Sequence, residues 1–593
     1  MKINKLVIVL SIIISNPFYI ANNIYSQYPI VCDSLKTIEK VYLHTDRDYY
    51  SAGDDIWFKA YLINASDRLL SNHSNNLHVE LISPDSKIVD RQIIRLEEGL
   101  GNGDFRLSVN LKSGLYRLRA YTNYMRNFGD QLFFFKDIAI ISSLDTNDRM
   151  ADSTSDIKNK FEINLFPEGG SLVDNVTSNI AFKAVNALGE GCDVSGEIYS
   201  SAGNLVTAFR STHLGLGTFS MRPVTGLSYY AIVKNPDGDE IRSEIPKSFS
   251  TGVVLSVSLN KDNEHLITIR TNTETLPLIL NKELLLSISA RKTVLKTLNF
   301  KLQSLVNSFI LPVDDLRDGI VTLTLSSLDS LSLCERLIYI QNKEDIKIKI
   351  ETNKTEYKPQ DSVSVRINLS NASGITKEAF LSFSACEKNY TYNASQFSLN
   401  ISSWFLLESD VRGPIEEPSY YFDPSNPDRL KDLDLLLCTQ GWRDFEWKYE
   451  KTTYLPENGF TISGKVRKLL YDAPLKDSQV TIGIFKDENN LVSNVPIDST
   501  GRFSLENVEF TGNAYLTVSS TGKKEKFQGW TILDSLKYSP AKVQTTIAGK
   551  NLFLEEDLFN KENLTELRKE YEIIQSTRKK YTLSDTILLD ELK

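Results

Sequence analysis

Six aromatic residues, Trp404, Tyr420, Tyr421, Phe422, Trp442 and Trp447, lie close together in the chain. Their faces and polar tips are of the kind that lines a groove for a peptide or a sugar. Packing of the segment that carries them onto its own domain is the blander reading, and the preferred one. Ser289-Ala-Arg-Lys292 has the S-x-x-K spacing of serine acyl enzymes, whose lysine activates the serine from the next helical turn. It sits in a strand-like run, where positions i and i+3 face opposite ways, and no S-D-N or K-T-G accompanies it. Five histidines, His44, His73, His78, His213 and His265, are scattered, and no carboxylate or cysteine spacing completes a zinc set around them. Asp46, Asp48, Asp54 and Asp55 offer oxygens to a Ca²⁺ ion at a turn, but a solvated, turn-forming loop accounts for them as well. Glu416, Glu417, Asp428, Asp432 and Asp434 form a second acidic patch without a ligand loop of defined spacing. No phosphate-binding glycine loop, catalytic carboxylate pair or nucleophile elbow is found. This inventory predicts no catalytic residue, no cofactor and no metal, and it turns the question towards binding or architecture.

The elements that hold these residues repeat. Thr45-Asp-Arg-Asp-Tyr-Tyr50-Ser-Ala-Gly-Asp54-Asp-Ile56-Trp-Phe58 returns in the same register as Thr352-Asn-Lys-Thr-Glu-Tyr357-Lys-Pro-Gln-Asp361-Ser-Val363-Ser-Val365. A Tyr, a turn, an Asp and strict apolar alternation recur, so the chain is a string of related β-domains. Period-two runs such as Phe105, Leu107 and Val109, or Leu118 and Ala120, bury one face of each strand, as two packed antiparallel sheets require. The predicted units are 38–142, 161–250, 252–342, 345–450 and 456–535, with a polar linker over 143–160. The fourth unit runs on through Ala379–Ala385 and then carries an insertion. There Leu430, Leu433 and Leu437 have helical spacing, and Gly441 ends the helix. Trp442, Phe445 and Trp447 are expected to pack that insertion on its sandwich. Residues 551–593 read as a helical tail.

At 593 residues the chain exceeds a single core, and 41% hydrophobic content supports packed domains. A net charge of −9, spread along the chain, provides no basic stripe for nucleic acid. Residues 1–26 read as a signal peptide, with Lys2 and Lys5, an apolar run from Leu6 to Ile14, and Ser26 before the cut. The run is short for a membrane span. Pro29-Ile-Val-Cys32 lacks the small residue expected before a lipidated cysteine. Five scattered cysteines (Cys32, Cys192, Cys334, Cys386, Cys438) without C-x-x-C indicate neither a disulfide framework nor a zinc site.

The two Tyr-turn-Asp segments, with Gly114-x-Tyr116-x-Leu118-x-Ala120 as a closing strand, resemble macroglobulin-type domains of the alpha-2-macroglobulin class. The second copy has Gln360 where the first has Gly53. Ser463-Gly464-Lys-Val466, Ala473-Pro-Leu475 and Asp498-x-x-Gly501-x-Phe503 resemble a carboxypeptidase regulatory-like sandwich. Four further motifs are Phe166-Pro-Glu-Gly-Gly170, His213-Leu-Gly-Leu-Gly217, Gly413-Pro-Ile-Glu416-x-Pro418-x-Tyr420-Tyr-Phe422 and Leu435-Leu-Leu-Cys-Thr-Gln-Gly-Trp442-Arg443. With them the array resembles exported proteins of Bacteroidetes-type bacteria, in which it often precedes the plug of a TonB-dependent outer-membrane receptor. Leu588-Leu-Asp-Glu591 resembles the lead-in to such a plug. The resemblance implies an all-β fold: a tandem array of immunoglobulin-like and macroglobulin-like β-sandwiches with a short helical insertion and a helical tail. Macroglobulin traps use a thioester in a Gly-Cys-x-Glu-Gln setting. Gly191-Cys192 is followed here by Asp193-Val194, which forms no thioester.

The function expected is that of a non-enzymatic exported scaffold or binding protein at the periplasm or outer membrane, linked to TonB-dependent uptake. The expected partner is a protein, either an outer-membrane receptor or a protease, with membrane contact only indirect and no nucleic acid. The alternatives are a macroglobulin-like protease-binding protein without a thioester, and a carbohydrate-binding surface protein using the aromatic cluster.

Overall fold

A computed structural model describes residues 38–142 and 160–535, apart from 188, 261–263, 292, 329–330, 342–345, 359–360, 372, 377, 387–397, 412, 441–452, 469–472, 476–477, 487–488, 511 and 522–528. The expected signal peptide and helical tail, Cys32, most of the linker, Lys292, Trp442, Trp447 and the expected helix end at Gly441 lie outside the described residues. The fold is all-β, a tandem array of sandwiches. In unit 1 the sheet of Glu39–Thr45, Asp55–Asn64 and Leu100–Arg106 faces a five-stranded sheet of Tyr49–Ser51, Phe134–Ile141, Gly114–Thr122, Asn76–Ile82 and Ile88–Arg95. The alternation explains the pairing. Ile56, Phe58, Ala60 and Leu62 point inward, and Leu118 and Ala120 meet them from the other sheet in one core.

Units 2 and 3 repeat this plan, each with a three-stranded sheet against a four-stranded one. Their cores are separate, around Ile180, Phe182 and Ala231 in unit 2 and around Ile267, Leu286 and Leu323 in unit 3. Unit 5 pairs two three-stranded sheets over Val466, Val480 and Phe503. Unit 4 is described only in part. Among the described residues it is a two-stranded ladder, Lys347–Thr352 with Val365–Ser370, and Ala379–Ala385 forms no ladder. Alternation alone does not make a strand; a partner must take up its N–H and C=O groups. Phe380 and Phe383 are accordingly exposed.

The repeated segment is one hydrogen-bonded device built twice. In the first copy the Tyr50 hydroxyl donates to Asp46 Oδ1 at 2.7 Å, which also accepts from the Trp57 N–H at 2.9 Å. Asp54 accepts from the Ser51 N–H at 3.0 Å and pairs with Arg47 at 3.5 Å. In the second copy Tyr357 donates to Asn353 Oδ1 at 2.7 Å, which accepts from the Ser364 N–H at 2.9 Å. Asp361 accepts from the Lys358 N–H at 3.1 Å and pairs with Lys354 at 3.1 Å. Each bond has its counterpart 307 residues away. Asp46 and Asp54 therefore organise the turn. Among the described residues no group of three or more His, Cys, Asp or Glu side chains is placed to hold a metal ion.

Candidate functional site, a clasp across three units

The insertion in unit 4, residues 398–440, docks on units 1, 2 and 3 in turn. It opens with helix α1, Ile401–Leu406, started by a capping box in which Asn400 Oδ1 accepts from the Ser403 N–H at 2.9 Å and Ser403 Oγ accepts from the Asn400 N–H at 3.0 Å. Trp404 is 8% exposed; its indole N–H donates to the Val41 carbonyl at 2.6 Å and its ring meets Phe134 edge-on at 5.0 Å. Lys40 of unit 1 donates to the Phe405 carbonyl at 3.0 Å, placing a cation at the C-terminal end of α1, where the helix dipole favours it.

The same Lys40 meets Asp410 at 2.5 Å, and Arg291 of unit 3 reaches the other carboxylate oxygen at 2.8 Å. Arg291 also donates to the Ser409 carbonyl at 2.7 Å. All three charged groups are buried. Burial pushes the Lys40 ammonium down to about 7; Asp410 partly offsets this, and Arg291 and Arg68 add to it. Burial alone would raise the Asp410 carboxyl, but Lys40 and Arg291 outweigh it and hold the group at about 2.

Beyond Asp410 the chain crosses to unit 2. The Glu416 carboxylate accepts from the Gly191 N–H at 2.8 and 3.1 Å. His213 stacks on Tyr420 with centroids 4.0 Å apart, and Tyr421, 2% exposed, meets the same imidazole edge-on. The Tyr420 hydroxyl donates to Asp432 at 2.8 Å. Next to His213, Gly215 has φ +72°, and a Cβ there would run into the Ala184 carbonyl, so the turn that presents the imidazole admits only glycine. Phe422 meets Tyr339 of unit 3 edge-on at 5.8 Å.

Helix α2, Arg429–Gln440, closes the clasp. Its seam is Leu433, Leu436 and Leu437, buried with Leu216 of unit 2 and Ile320 of unit 3 in one apolar cluster, while Leu430 is only half-buried. From its flank Asp434 pairs with Arg336 of unit 3 at 2.8 Å, and Arg336 pairs in turn with Glu168 of unit 2 at 3.2 Å. Glu168 accepts as well from the Val257 N–H and the Asn179 amide, both at 2.9 Å. Gly169, at φ +81°, lets the turn approach Leu255, whose carbonyl would lie 2.6 Å from an added Cβ. Further along, Glu457 receives His78 at 2.8 Å, and Tyr454 lies under Arg126, which ties the approach to unit 5 onto unit 1.

The four motifs of the sequence thus meet at one junction. Of the six aromatic residues, Trp404 and Tyr421 are buried and Tyr420 and Phe422 half-buried, and they pack on Val41, Phe134, His213 and Tyr339. They pack the insertion not on its own sandwich but on the three that precede it. Sequence reasoning missed Lys40, Arg291, Arg336 and Asp410, whose partners lie far away in the chain. One signal was present: Arg336 occupies the buried face of its strand, in register with Cys334, Ile338 and Ile340.

Among the described residues no helix is long and apolar enough to cross a membrane. No curated protein matches the chain. Similar solved structures include Escherichia coli alpha-2-macroglobulin in its native conformation, at 10% identity and TM-score 0.16, covering 85% of this chain and 40% of that one. Salmonella alpha-2-macroglobulin reacted with methylamine is 9% identical, TM-score 0.15, with 85% and 40% covered. A tetra-tandem repeat from the extending region of a large adhesion protein is 11% identical, TM-score 0.15, with 85% and 100% covered. The chain spans 40% of the length of those two macroglobulins. Residues 40–132 match the family model of the MG2 domain, so the macroglobulin likeness falls on unit 1, the sandwich that the clasp grips through Lys40 and Val41.

Proposed function

We propose that this chain is a non-enzymatic, exported scaffold of macroglobulin-like sandwiches that holds a protein partner at the outer membrane, in association with TonB-dependent uptake. The observation that carries the reading is the use made of the four motifs: their charged and aromatic side chains join units to one another, as in a device that sets the spacing of surfaces. The apolar run after Lys5 supports export, and the motif resemblance supports the link to uptake. Open sheet edges, such as Glu240–Glu244 in unit 2, offer unpaired backbone groups for strand addition by the partner. The test is photo-crosslinking from Arg242 on that edge in intact cells of the source organism. Recovery of an outer-membrane β-barrel receptor or its plug supports the reading; recovery of cytoplasmic proteins alone overturns it.

The MG2 match favours a second reading, a protease-binding protein that works without a thioester. Burial, with Asp193 and Glu416 nearby, pushes the Cys192 thiol up to about 11, which leaves it a poor nucleophile. Under this reading a protease makes one defined cut and stays bound. Scattered nicking and free protease on gel filtration count against it.

A further inference from the structure

We infer that one end of unit 3 is a lipid-docking tip, where turns and the strand ends beside them present six aliphatic side chains to a membrane surface. The inference goes beyond the scaffold role proposed above and does not rest on it. The six are Leu278, Leu280, Leu305, Val306, Leu328 and Leu331, each between 38% and 65% exposed. Although distant in the chain, they are gathered by the sheet register. Glu283 pairs with Lys301, Leu284 with Ser327, Ser326 with Ser332, and Arg270 with Val306. The turns before Glu283, after Lys301 and after Ser327 therefore open at the same end of the sandwich. Backbone bonds hold them there. The Asn281 N–H donates to the Leu302 carbonyl at 3.3 Å, the Thr271 N–H to that of Leu305 at 2.9 Å, and the Ser327 N–H to that of Leu331 at 3.0 Å. Ile279 and Leu302 of the same turns pack on the core beneath, so the six exposed residues are surplus to it. Arg291 and its contact with Asp410 lie at the opposite end, beyond Ala290.

The occupant follows from the chemistry of the tip. All six side chains are aliphatic, with none of the aromatic or arginine anchors that dominate protein interfaces. Together they expose on the order of 500 Å², short of the roughly 800 Å² per partner that a stable protein complex buries. A bilayer surface needs no matching groove, and it takes up apolar side chains to a depth of roughly 5–10 Å at the headgroup boundary. The charges within the turns and on the strand residues that bound them balance: Arg270, Lys282 and Lys301 against Glu274, Glu283 and Asp329, the last of which lies outside the described residues. Apolar insertion, and not attraction to anionic headgroups, therefore holds the contact, and a zwitterionic lipid suffices. Because the turns are already braced, docking orders little new chain. Membrane contact, expected from the sequence only through a partner, is direct under this assignment.

The experiment is flotation of the chain from Gln27 onward, without the expected signal peptide, with vesicles of phosphatidylcholine and phosphatidylethanolamine. A second set of vesicles carries phosphatidylglycerol as well. The parent should float with both, and about 0.5 M salt should leave the bound fraction unchanged. Leu328→Asp with Leu331→Asp, and separately Leu278→Asp with Leu305→Asp, should lower partitioning about tenfold or more, because each pair places charge at the inserting depth. All four sites are exposed, so circular dichroism and the unfolding midpoint should keep the parent values. Leu205→Asp, at a similarly exposed leucine of unit 2, should float like the parent. A parent chain that stays at the bottom with both vesicles overturns the proposal, as do release by salt and undiminished flotation of both double variants. If the unbound parent instead forms a dimer that Leu328→Asp with Leu331→Asp breaks, the tip is a protein contact and lipid docking is refuted. Crosslinking from Arg242 tests the scaffold reading on its own, so either can fail without the other.

Discussion

The hydroxyls of Tyr50 and Tyr357 make the same bonds in opposite surroundings, the first ring fully buried in unit 1 and the second half-exposed in unit 4. Water replaces a lost partner only where it has access. Tyr50→Phe should therefore cost about 1–2 kcal/mol, and Tyr357→Phe no more than about 0.5 kcal/mol. Urea titration of both variants checks this, and equal midpoint shifts would refute it. The spacing of Tyr and Asp was legible because it recurs in the sequence. That Asp46 serves the turn was less so, since a carboxylate bonded to a tyrosine reads the same as one offered to calcium. Glu168 shows the limit more sharply. Its motif stood out, but its partners Val257, Arg336 and Asn179 come from two units, and no local pattern names them. Glu168→Ala strands Arg336 with Asp434 alone in a buried site, for a loss of about 3 kcal/mol measured by thermal unfolding.

At the scale of elements, alternation was a sound guide wherever both neighbours of a strand were supplied by its own unit. It failed over Ala379–Ala385, which alternates but finds no ladder among the described residues. Leucine spacing placed helix α2, though its seam turned out to be Leu433, Leu436 and Leu437 because two units, not one, receive it. The aromatic residues were legible as a cluster and illegible as a contact, since Phe134 and His213 that meet them lie hundreds of residues earlier. Helix α1 carries its own prediction. It is short, and Trp404 supplies both its indole hydrogen bond to Val41 and its ring contact with unit 1. Trp404→Ala should cost about 3–5 kcal/mol at that contact. The loss should appear as faster hydrogen exchange in Glu39–Thr45, with exchange near His213 unchanged. Slower or unaltered exchange in that strand would mean that α1 is held by something other than its tryptophan.

For the whole molecule, the question is whether the array moves as one body. Sandwiches joined end to end reorient by default unless their interfaces are large and apolar. Here units 1 and 2 are linked along the chain by residues 143–159 and across it by the clasp, which binds unit 1 through Trp404 and Lys40 and unit 2 through Glu416 and His213. The two grips share no residue, so their losses should add and not compensate. Trp404→Ala weakens the first grip, leaving Lys40 on Asp410, and Glu416→Ala leaves the Gly191 N–H without its carboxylate. The double variant should keep its far-ultraviolet circular dichroism, because each sandwich retains its own core. Small-angle X-ray scattering should nevertheless show a larger radius of gyration and a broader distance distribution than either single variant gives. If the radius stays at the parent value while the dichroism is intact, the units are fixed to one another by surfaces other than the clasp, and its role as the spacer of the array is refuted.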